Sequence, residues 1–534
     1  MLFDAVAAPL ALLAVALPFL FAVTDPPVAN FWPVVAAWVC GAVLLLVGAS
    51  AAPARHSRWW AGVLAGGLGL AAVVASVIGL IQYVAGDVGL GPWIHASVPG
   101  QAVGNLRQRN QQGTLLSLGA WALLWWSLHG QRLDGRHAHV HGGEAEGART
   151  AKEGQRVAGT ASAASALPVF AALALVWLAV GAAATASRTV VVQWLLILAL
   201  LVLWRGPHRA AALRLGMAGF GVFLAAAWIL PEALWTFQGV RADALFHRFA
   251  DASNSCTSRR VLWSNVLTLI GQRPWLGWGW GELDYAHYIT LFPGERFCVL
   301  LDNAHNLPLH LAVELGVPAA LALCGAALAA CWSARPWRER SPARQLAWGV
   351  LALIGVHSML EYPLWYGPFQ WAALVSIGIL LWPSRGQQPG LRADMAGRAC
   401  IAAAGLILVA CGVAAWDYHR VSQLYKPGPV RSAAYRDDTQ AKVADSLFFT
   451  SQLDFARLTT AGLTQANAAR LNAMAHELLH YSPEPRVLQV LIESAILLGR
   501  DSEAAFHMQR YRIAYPQDYA RWMGARGTRA SAEQ

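Results

Sequence analysis

The sequence predicts an all-α polytopic membrane protein, and three observations predict it. Apolar residues make up 56% of the 534-residue chain and charged residues only 13%, against roughly 25% charged in an ordinary soluble chain. Mean hydropathy is +0.41. The apolar residues also fall in runs near the ~20 residues that cross a bilayer. So few charges cannot cover a soluble surface, and the composition excludes disorder, coiled coil and collagen. The net charge of +10 does not point to nucleic acid, because cytoplasmic loops of membrane proteins collect Lys and Arg. The 25 tryptophans suit a membrane–water interface.

About eleven spans are predicted, at 5–23, 31–50, 60–85, 113–129, 163–184, 188–204, 212–230, 306–332, 345–360, 367–382 and 398–416. The first run has no basic residues before it, so it reads as a retained span rather than a signal peptide. Basic residues follow every even-numbered span: Arg55 and Arg58; Arg132, Arg136, Arg149, Lys152 and Arg156; Arg205, Arg209 and Arg214; Arg335, Arg338, Arg340 and Arg344; Arg385, Arg392 and Arg398. These loops are therefore expected in the cytoplasm, with the N-terminus inside. The opposite loops face outward: 24–30, 86–112, 185–187, 231–305, 361–366 and the tail from about 417. The tail, 417–534, reads as a separate helical domain with amphipathic patterns at 438–448, 452–461, 465–481, 485–499 and 502–514. Its stretch from Pro483 to Pro516 resembles one tetratricopeptide-type helix pair, with Ala495 and Gly499 suited to close packing at the turn and Pro516 ending it.

Five of the seven cysteines (Cys40, Cys324, Cys331, Cys400, Cys411) lie in apolar runs and read as packing residues. Cys256 and Cys298 share one outward loop, where spacing alone leaves their pairing open. His137, His139 and His141 read as part of a solvated linker, since no Cys or carboxylate sits at ligand spacing nearby. No phosphate-binding loop, dinucleotide fingerprint or zinc-spaced cluster is present.

The chemistry-bearing residues sit in four outward clusters. GNLRQRNQQG, from Gly104, offers Gln108 and Asn110 beside Arg107 and Arg109; such groups suit sugar hydroxyls and phosphates, and equally a helix cap. ASRTVVVQW places Arg188 at the mouth of a span, as a functional cation or a snorkelling one. The long loop carries Arg259, Arg260 and Trp263 on an amphipathic helix and a Trp/Gly-rich turn from Trp275 to Gly281. It closes on Asp302, Asn303, His305 and Asn306. There His305 suits a general base near neutral pH, and Asn303 or Asn306 equally a helix cap. EYPLWYGPFQW sets Glu361, Tyr362 and Tyr366 in a tight turn, as hydroxyl ligands or an aromatic belt. All four fall on one side of the membrane. Arginines, a histidine and amides at an outer lipid interface describe a site for a lipid-linked phosphate, because fixed guanidiniums stabilise the charge of a departing pyrophosphate. No Asp-x-Asp pair occurs in the first outward loop, so a metal-free mechanism without cofactor is the economical expectation.

On the motifs SRT, RPWLGWGWGEL, HNLPLHLAVELG and EYPLWYGPFQW the chain resembles bacterial O-antigen ligases. The Gly-Asn-x-x-Gln-x-Asn stretch, the Glu-Tyr-Pro turn and the helical tail most resemble the protein O-oligosaccharyltransferases of the pilin-glycosylation type. The resemblance covers the membrane part, expected as 1–416 with a large periplasmic loop at 231–305, and implies about twelve spans. It implies a bacterial inner-membrane enzyme that transfers a preassembled glycan en bloc from undecaprenyl pyrophosphate to hydroxyls of a periplasmic acceptor protein such as pilin. By motif, His305 would be the catalytic His. Arg188 and Arg259 or Arg260 would hold the pyrophosphate, and Gln108, Asn110, Asn306 and Tyr362 would bind substrate. The imidazole and guanidiniums are then expected to act on one diphosphate. Ligation of O-antigen to lipid A-core, or O-antigen polymerisation, shares fold and donor; the tail and the Glu-Tyr-Pro turn weigh against both. A transporter would keep its polar groups near mid-membrane rather than at the outer mouths. A scaffold would not need eleven spans.

Overall fold

The computed structural model describes residues 2–50, 57–129, 169–245, 256–382 and 391–532. The His137–His141 tract lies outside them. The chain is an all-α membrane protein: no strand occurs among the described residues. Five helices are long and apolar enough to cross a membrane: Phe31–Ala49, Ser57–Ala85, Arg209–Gln238, Val317–Arg338 and Met395–Tyr425. Shorter apolar helices include Val6–Leu20, Val169–Ala184, Arg188–Leu203 and Gly367–Leu381.

Two predicted boundaries move for physical reasons. The stretch expected as one span at 306–332 is two helices, Leu307–Leu315 and Val317–Ala334. They part at Gly316, whose φ of +88° no helix accommodates. The span therefore begins at Val317, and His310 and Glu314 lie on the short helix before it. The span expected at 212–230 runs through Pro231 to Gln238 and stops at Gly239, with φ +68°. Glycine in the left-handed region ends this helix where the proline does not.

The residues divide into two compact units: 1–24, 30–250 and 331–411 in the first, and 25–29, 251–330 and 412–534 in the second. In the first unit helix Arg109–His129 is buried along nearly its whole length. Burial on every side suits its mostly uncharged, small-and-aromatic sequence. Close approach of helices is set by small residues, as expected where lipid removes the hydrophobic drive for association. A Cβ on Gly349 would lie 2.2 Å from Trp121 Nε1, and one on Gly113 2.4 Å from Val190. Trp121 and Trp194 are fully buried, so part of the tryptophan content fills the core rather than the interface. Trp121 Nε1 donates to Leu346 O at 3.2 Å and Trp125 Nε1 to Pro342 O at 2.7 Å, meeting the need of a buried indole for an acceptor.

In the second unit the tail helices Thr450–Thr460, Ala468–Leu479, Pro485–Leu497, Asp501–Ala514 and Pro516–Ala532 share a core of Leu471, Leu478, Leu488, Leu491, Ile492 and Tyr511. Tyr288, from the long loop, belongs to the same core. Its hydroxyl lies 3.0 Å from His507 Nδ1, and Arg510 Nε donates to Ile289 O at 2.8 Å. The predicted helix pair after Pro483 is present. Gly499 serves it differently from the expectation: nothing lies within 4 Å of a Cβ there, and its φ of +68° makes the turn. Close packing falls to Ala495, fully buried. The pattern at 438–448 yields only the short helix Thr439–Lys442. Beyond it the backbone folds onto Asp417, whose Oδ2 accepts from the N–H groups of Leu447 and Phe448 at 2.8 and 2.9 Å. Cys256 and Cys298 form a disulfide with Cα atoms 5.5 Å apart and a sequence separation of 42, closing a loop worth about 4 kcal/mol in the chain-entropy model.

Gly349→Ala is expected to lower the melting temperature of the detergent-solubilised protein, at a cost of about 1–3 kcal/mol from overpacking against Trp121. Gly355→Ala on the same helix meets nothing within 4 Å and leaves the melt unchanged or slightly raised, as a thermal-shift comparison of the two variants would show.

Candidate functional site

Three of the four sequence clusters come together in the first unit, on the carboxylate of Glu361. Gln108 Nε2 donates to Glu361 Oε2 at 3.1 Å, and Asn110 Nδ2 donates to Glu361 Oε1 at 2.8 Å. Ser187 Oγ donates to Asn110 Oδ1 at 2.6 Å. Glu361 is buried, a costly place for a carboxylate without donors. Two amide donors meet that need at the N-terminus of Arg109–His129, whose dipole favours negative charge. Local structure aims these groups. Helix Arg188–Leu203 starts at Arg188, after Ser187 at its cap position. The turn carrying Glu361 is closed by its own N–H donating to His357 O at 2.8 Å.

Beneath Glu361 a second polar layer is fully buried. Gln193 Nε2 donates to Thr114 Oγ1 at 2.9 Å, and Thr114 Oγ1 lies 2.9 Å from His357 Nδ1. The segment before Gln108 is held by two amides, Asn105 of the Gly-Asn-x-x-Gln-x-Asn stretch and Gln82, which the sequence alone does not mark. Gln82 Oε1 accepts from Gly104 N at 2.7 Å and its Nε2 donates to His95 O at 2.7 Å. Asn105 Nδ2 donates to Leu20 O and Trp93 O at 2.6 and 2.8 Å. The available signal was a glutamine inside an otherwise apolar run. Arg107 Nη2 donates to Asn30 Oδ1 at 2.9 Å; burial, first, pulls that guanidinium below its usual range. Arg109 pairs with Asp243 at 2.6 Å. Tyr362 is half-buried, with its ring 6.2 Å from that of Tyr366.

The fourth cluster lies in the second unit. Helix Arg259–Gln272 starts at the Ser258 cap. Arg259 is half-buried and Arg260 exposed. Trp263 Nε1 donates to Ala304 O at 3.1 Å, and His305 N donates to Asn303 Oδ1 at 2.9 Å. Asn306 Oδ1 accepts from Leu309 N at 3.0 Å, so Asn306 caps Leu307–Leu315, one of the two roles open to it in the sequence. His305 is half-buried.

Two of the motifs clasp each other. Trp278 N donates to Val313 O at 2.9 Å, Gly279 N to Glu314 O at 3.0 Å and Val317 N to Pro274 O at 2.8 Å. A Cβ on Gly277 would sit 2.3 Å from Glu314 O, and one on Gly316 2.1 Å from Trp275 O. Both glycines also have positive φ, +70° and +88°. Gly277 of RPWLGWGWGEL and Gly316 of HNLPLHLAVELG are thus fixed by one backbone-to-backbone contact. Along Leu307–Leu315, His310 Nε2 lies 3.4 Å from Glu314 Oε2, both buried. Burial holds the His310 imidazole down to about 4, with His305 adding to the effect. It pushes the Glu314 carboxyl up to about 7.

Five non-glycine residues have positive φ among those described: Arg107, Ala186, His305, Arg335 and Asp438. Each costs on the order of 1 kcal/mol and persists where surrounding structure fixes it. The first stands beside Gln108, the second two residues before Arg188, and the third is His305 itself. No group of three or more His, Cys, Asp or Glu capable of holding a metal occurs among the described residues.

Comparison with known proteins bears on these segments. A family model described as O-antigen ligase matches residues 173–324, and one described as protein glycosylation ligase matches 102–126. A third, described as the C-terminal part of a virulence-factor membrane-bound polymerase, matches 345–529. A general O-oligosaccharyltransferase of Acinetobacter baylyi is 23% identical over 190 residues, covering 35% of this chain and 32% of that protein. The chain thus matches about a third of the length of this relative.

Two outcomes follow from the geometry. Glu361→Ala leaves two amides facing no acceptor and is expected to cost about 1–3 kcal/mol. Glu361→Gln keeps one acceptor, so melting temperatures should rank wild type, Gln, Ala. For Glu314, the folded pKa of about 7 exceeds the usual 4.5, so its contribution is present below pH 4.5 and is lost as pH rises to about 7. Glu314→Gln should therefore gain on the wild type between pH 5 and pH 8, by on the order of 2 kcal/mol, measurable as diverging denaturation midpoints.

Proposed function

As a member of the O-antigen ligase superfamily, in its O-oligosaccharyltransferase branch, the chain is one for which we propose transfer of a preassembled glycan from undecaprenyl pyrophosphate to a hydroxyl of a periplasmic acceptor protein such as pilin. The observation that carries this reading is the node at Glu361. Gln108 and Asn110 donate to a carboxylate about 250 residues away, and Ser187, next to Arg188, donates to Asn110 in turn. A buried polar node of this kind has no use in a purely apolar span and suits a polyhydroxylated, phosphorylated substrate.

In the proposed reaction the acceptor oxygen forms the new bond to the anomeric carbon as the bond from that carbon to pyrophosphate breaks. The hydroxyl proton passes to the His305 imidazole, and the leaving lipid pyrophosphate takes the electron pair. A general base contributes about 10²–10⁴-fold, so phosphate binding and positioning must supply most of the remainder. Arg188 is assigned to the pyrophosphate. Of the adjacent pair, the half-buried Arg259 rather than the exposed Arg260 is assigned as a second phosphate ligand. Gln108, Asn110 and Tyr362 are assigned to substrate binding. Asn306, whose oxygen caps the helix Leu307–Leu315, is also assigned to substrate binding. No step calls on a metal or cofactor.

A second reading has one observation in its favour: the match of 345–529 to a polymerase-type model. Chain extension of O-antigen uses the same donor and a sugar hydroxyl as acceptor.

Co-expression with a defined lipid-linked glycan and a candidate pilin, followed by intact-mass measurement, tests the proposal. The pilin should gain the glycan mass with wild type and none with His305→Ala or Arg188→Ala at equal membrane expression. Normal glycosylation by either variant would remove its assigned role. Loss of the lipopolysaccharide ladder in a deletion strain, with pilin mass unaltered, would favour ligation or polymerisation instead.

A further inference from the structure

At the C-terminal end of the span Val317–Arg338 the first unit has a cleft of about 450 Å³ lined by Trp332, Arg335, Trp337 and Arg338. The cleft is built by an unusual chain reversal. Arg335 adopts φ +51°, the left-handed conformation in which glycine is the default residue. The single turn Pro336–Arg338 follows and folds Trp337 back to 5.2 Å from the Trp332 ring. Trp204 Nε1 fixes the turn by donating to Pro336 O at 2.8 Å.

Among the described residues, no side chain bonds the guanidiniums of Arg335 and Arg338. Glu339 is the adjacent carboxylate. Its Oε1 accepts from the N–H groups of Arg340 and Ser341, each at 2.9 Å, and its Oε2 from Arg344 Nε at 2.7 Å. Those donors hold Glu339 below the usual carboxylate range although its burial opposes them. Arg344 also donates to Leu380 O. Among the described residues no carboxylate forms an ion pair with Arg335 or Arg338. Two guanidiniums and a pair of packed indoles lining one cleft match a phosphodiester flanked by glycerol and acyl chain: guanidinium binds phosphate oxygens as a fork, and indole sits at the headgroup level.

We propose that this cleft is a binding site for one anionic glycerophospholipid, its phosphate held by Arg335 and Arg338 and its glycerol region against Trp332 and Trp337. The basic loop that follows is one the charge distribution assigns to the cytoplasm, so the lipid would come from the cytoplasmic leaflet, where anionic headgroups meet basic clefts. A strained Arg at a glycine position fits this role, since glycine would complete the turn and leave the cleft without that charge.

The test uses full-length, delipidated protein and native mass spectrometry with added phosphatidylglycerol, cardiolipin or phosphatidylethanolamine. Wild type should retain the anionic lipids in preference to phosphatidylethanolamine. The double variant Arg335→Gly/Arg338→Gln, whose glycine suits the left-handed backbone, should lose that preference, with affinity falling about fivefold per arginine and the melting temperature of the lipid-free protein held. Arg214→Ala, which removes an exposed arginine elsewhere, should bind as wild type does. Equal retention of all three lipids, or unchanged retention by the double variant, would overturn the proposal in favour of a general annulus. Displacement of the bound lipid by millimolar inorganic phosphate would overturn it in favour of a soluble phosphate ligand.

Discussion

The polar architecture of the first unit depends on one buried carboxylate. Glu361 is removed from water, and a lone carboxylate there would carry a penalty of several kcal/mol. The structure offsets it with two donors, a glutamine and an asparagine at the start of one helix, and the asparagine is itself held by a serine at the start of another. The constraint runs both ways. Turning the amides elsewhere takes two donors from the carboxylate, and moving the carboxylate takes the acceptor from both amides. The loop before Gln108 is consequently pinned by Gln82 and Asn105, and the packing beneath by Gln193, Thr114 and His357.

The second unit is organised by shape rather than charge. Where Gly277 and Gly316 pass each other, two stretches of backbone touch with no room for a side chain. That contact ends the short helix bearing His310 and Glu314 and starts the span at Val317. Around it the loop is secured by the Cys256–Cys298 bridge and by tail residues His480, His507 and Arg510. His480 Nδ1 lies 2.7 Å from Glu282 and its ring stacks on Tyr285 at 4.1 Å. The tail thus packs on the long loop in the manner of a structural partner.

Much of this was legible in the residues, and what was not has identifiable causes. Apolar runs marked helices because lipid-facing length is written directly in composition. Gly316 inside HNLPLHLAVELG was not read as a break, since a glycine in an apolar run is common in spans and only its φ reveals the turn. The span expected to end at 230 runs on through Pro231, because proline is tolerated within this helix. At the site, the polar residues of all four clusters stood out against an apolar background. The reading placed Tyr362 ahead of its neighbour Glu361, because pairing between residues about 250 positions apart has no local pattern. Gln82 was lost in a span for the same reason. Pairing of Cys256 with Cys298 needed Cα geometry that spacing does not carry.

The conformation at 305 sets folding against chemistry. A left-handed backbone is most comfortable for glycine and next for asparagine, and the loop between Asn303 and Asn306 is held there by Trp263 and by its own turn. Sequence drift toward relaxed folding at this position would thus erase the imidazole, so a chain selected for stability alone would converge on a well-folded protein without the group proposed to take the acceptor's proton.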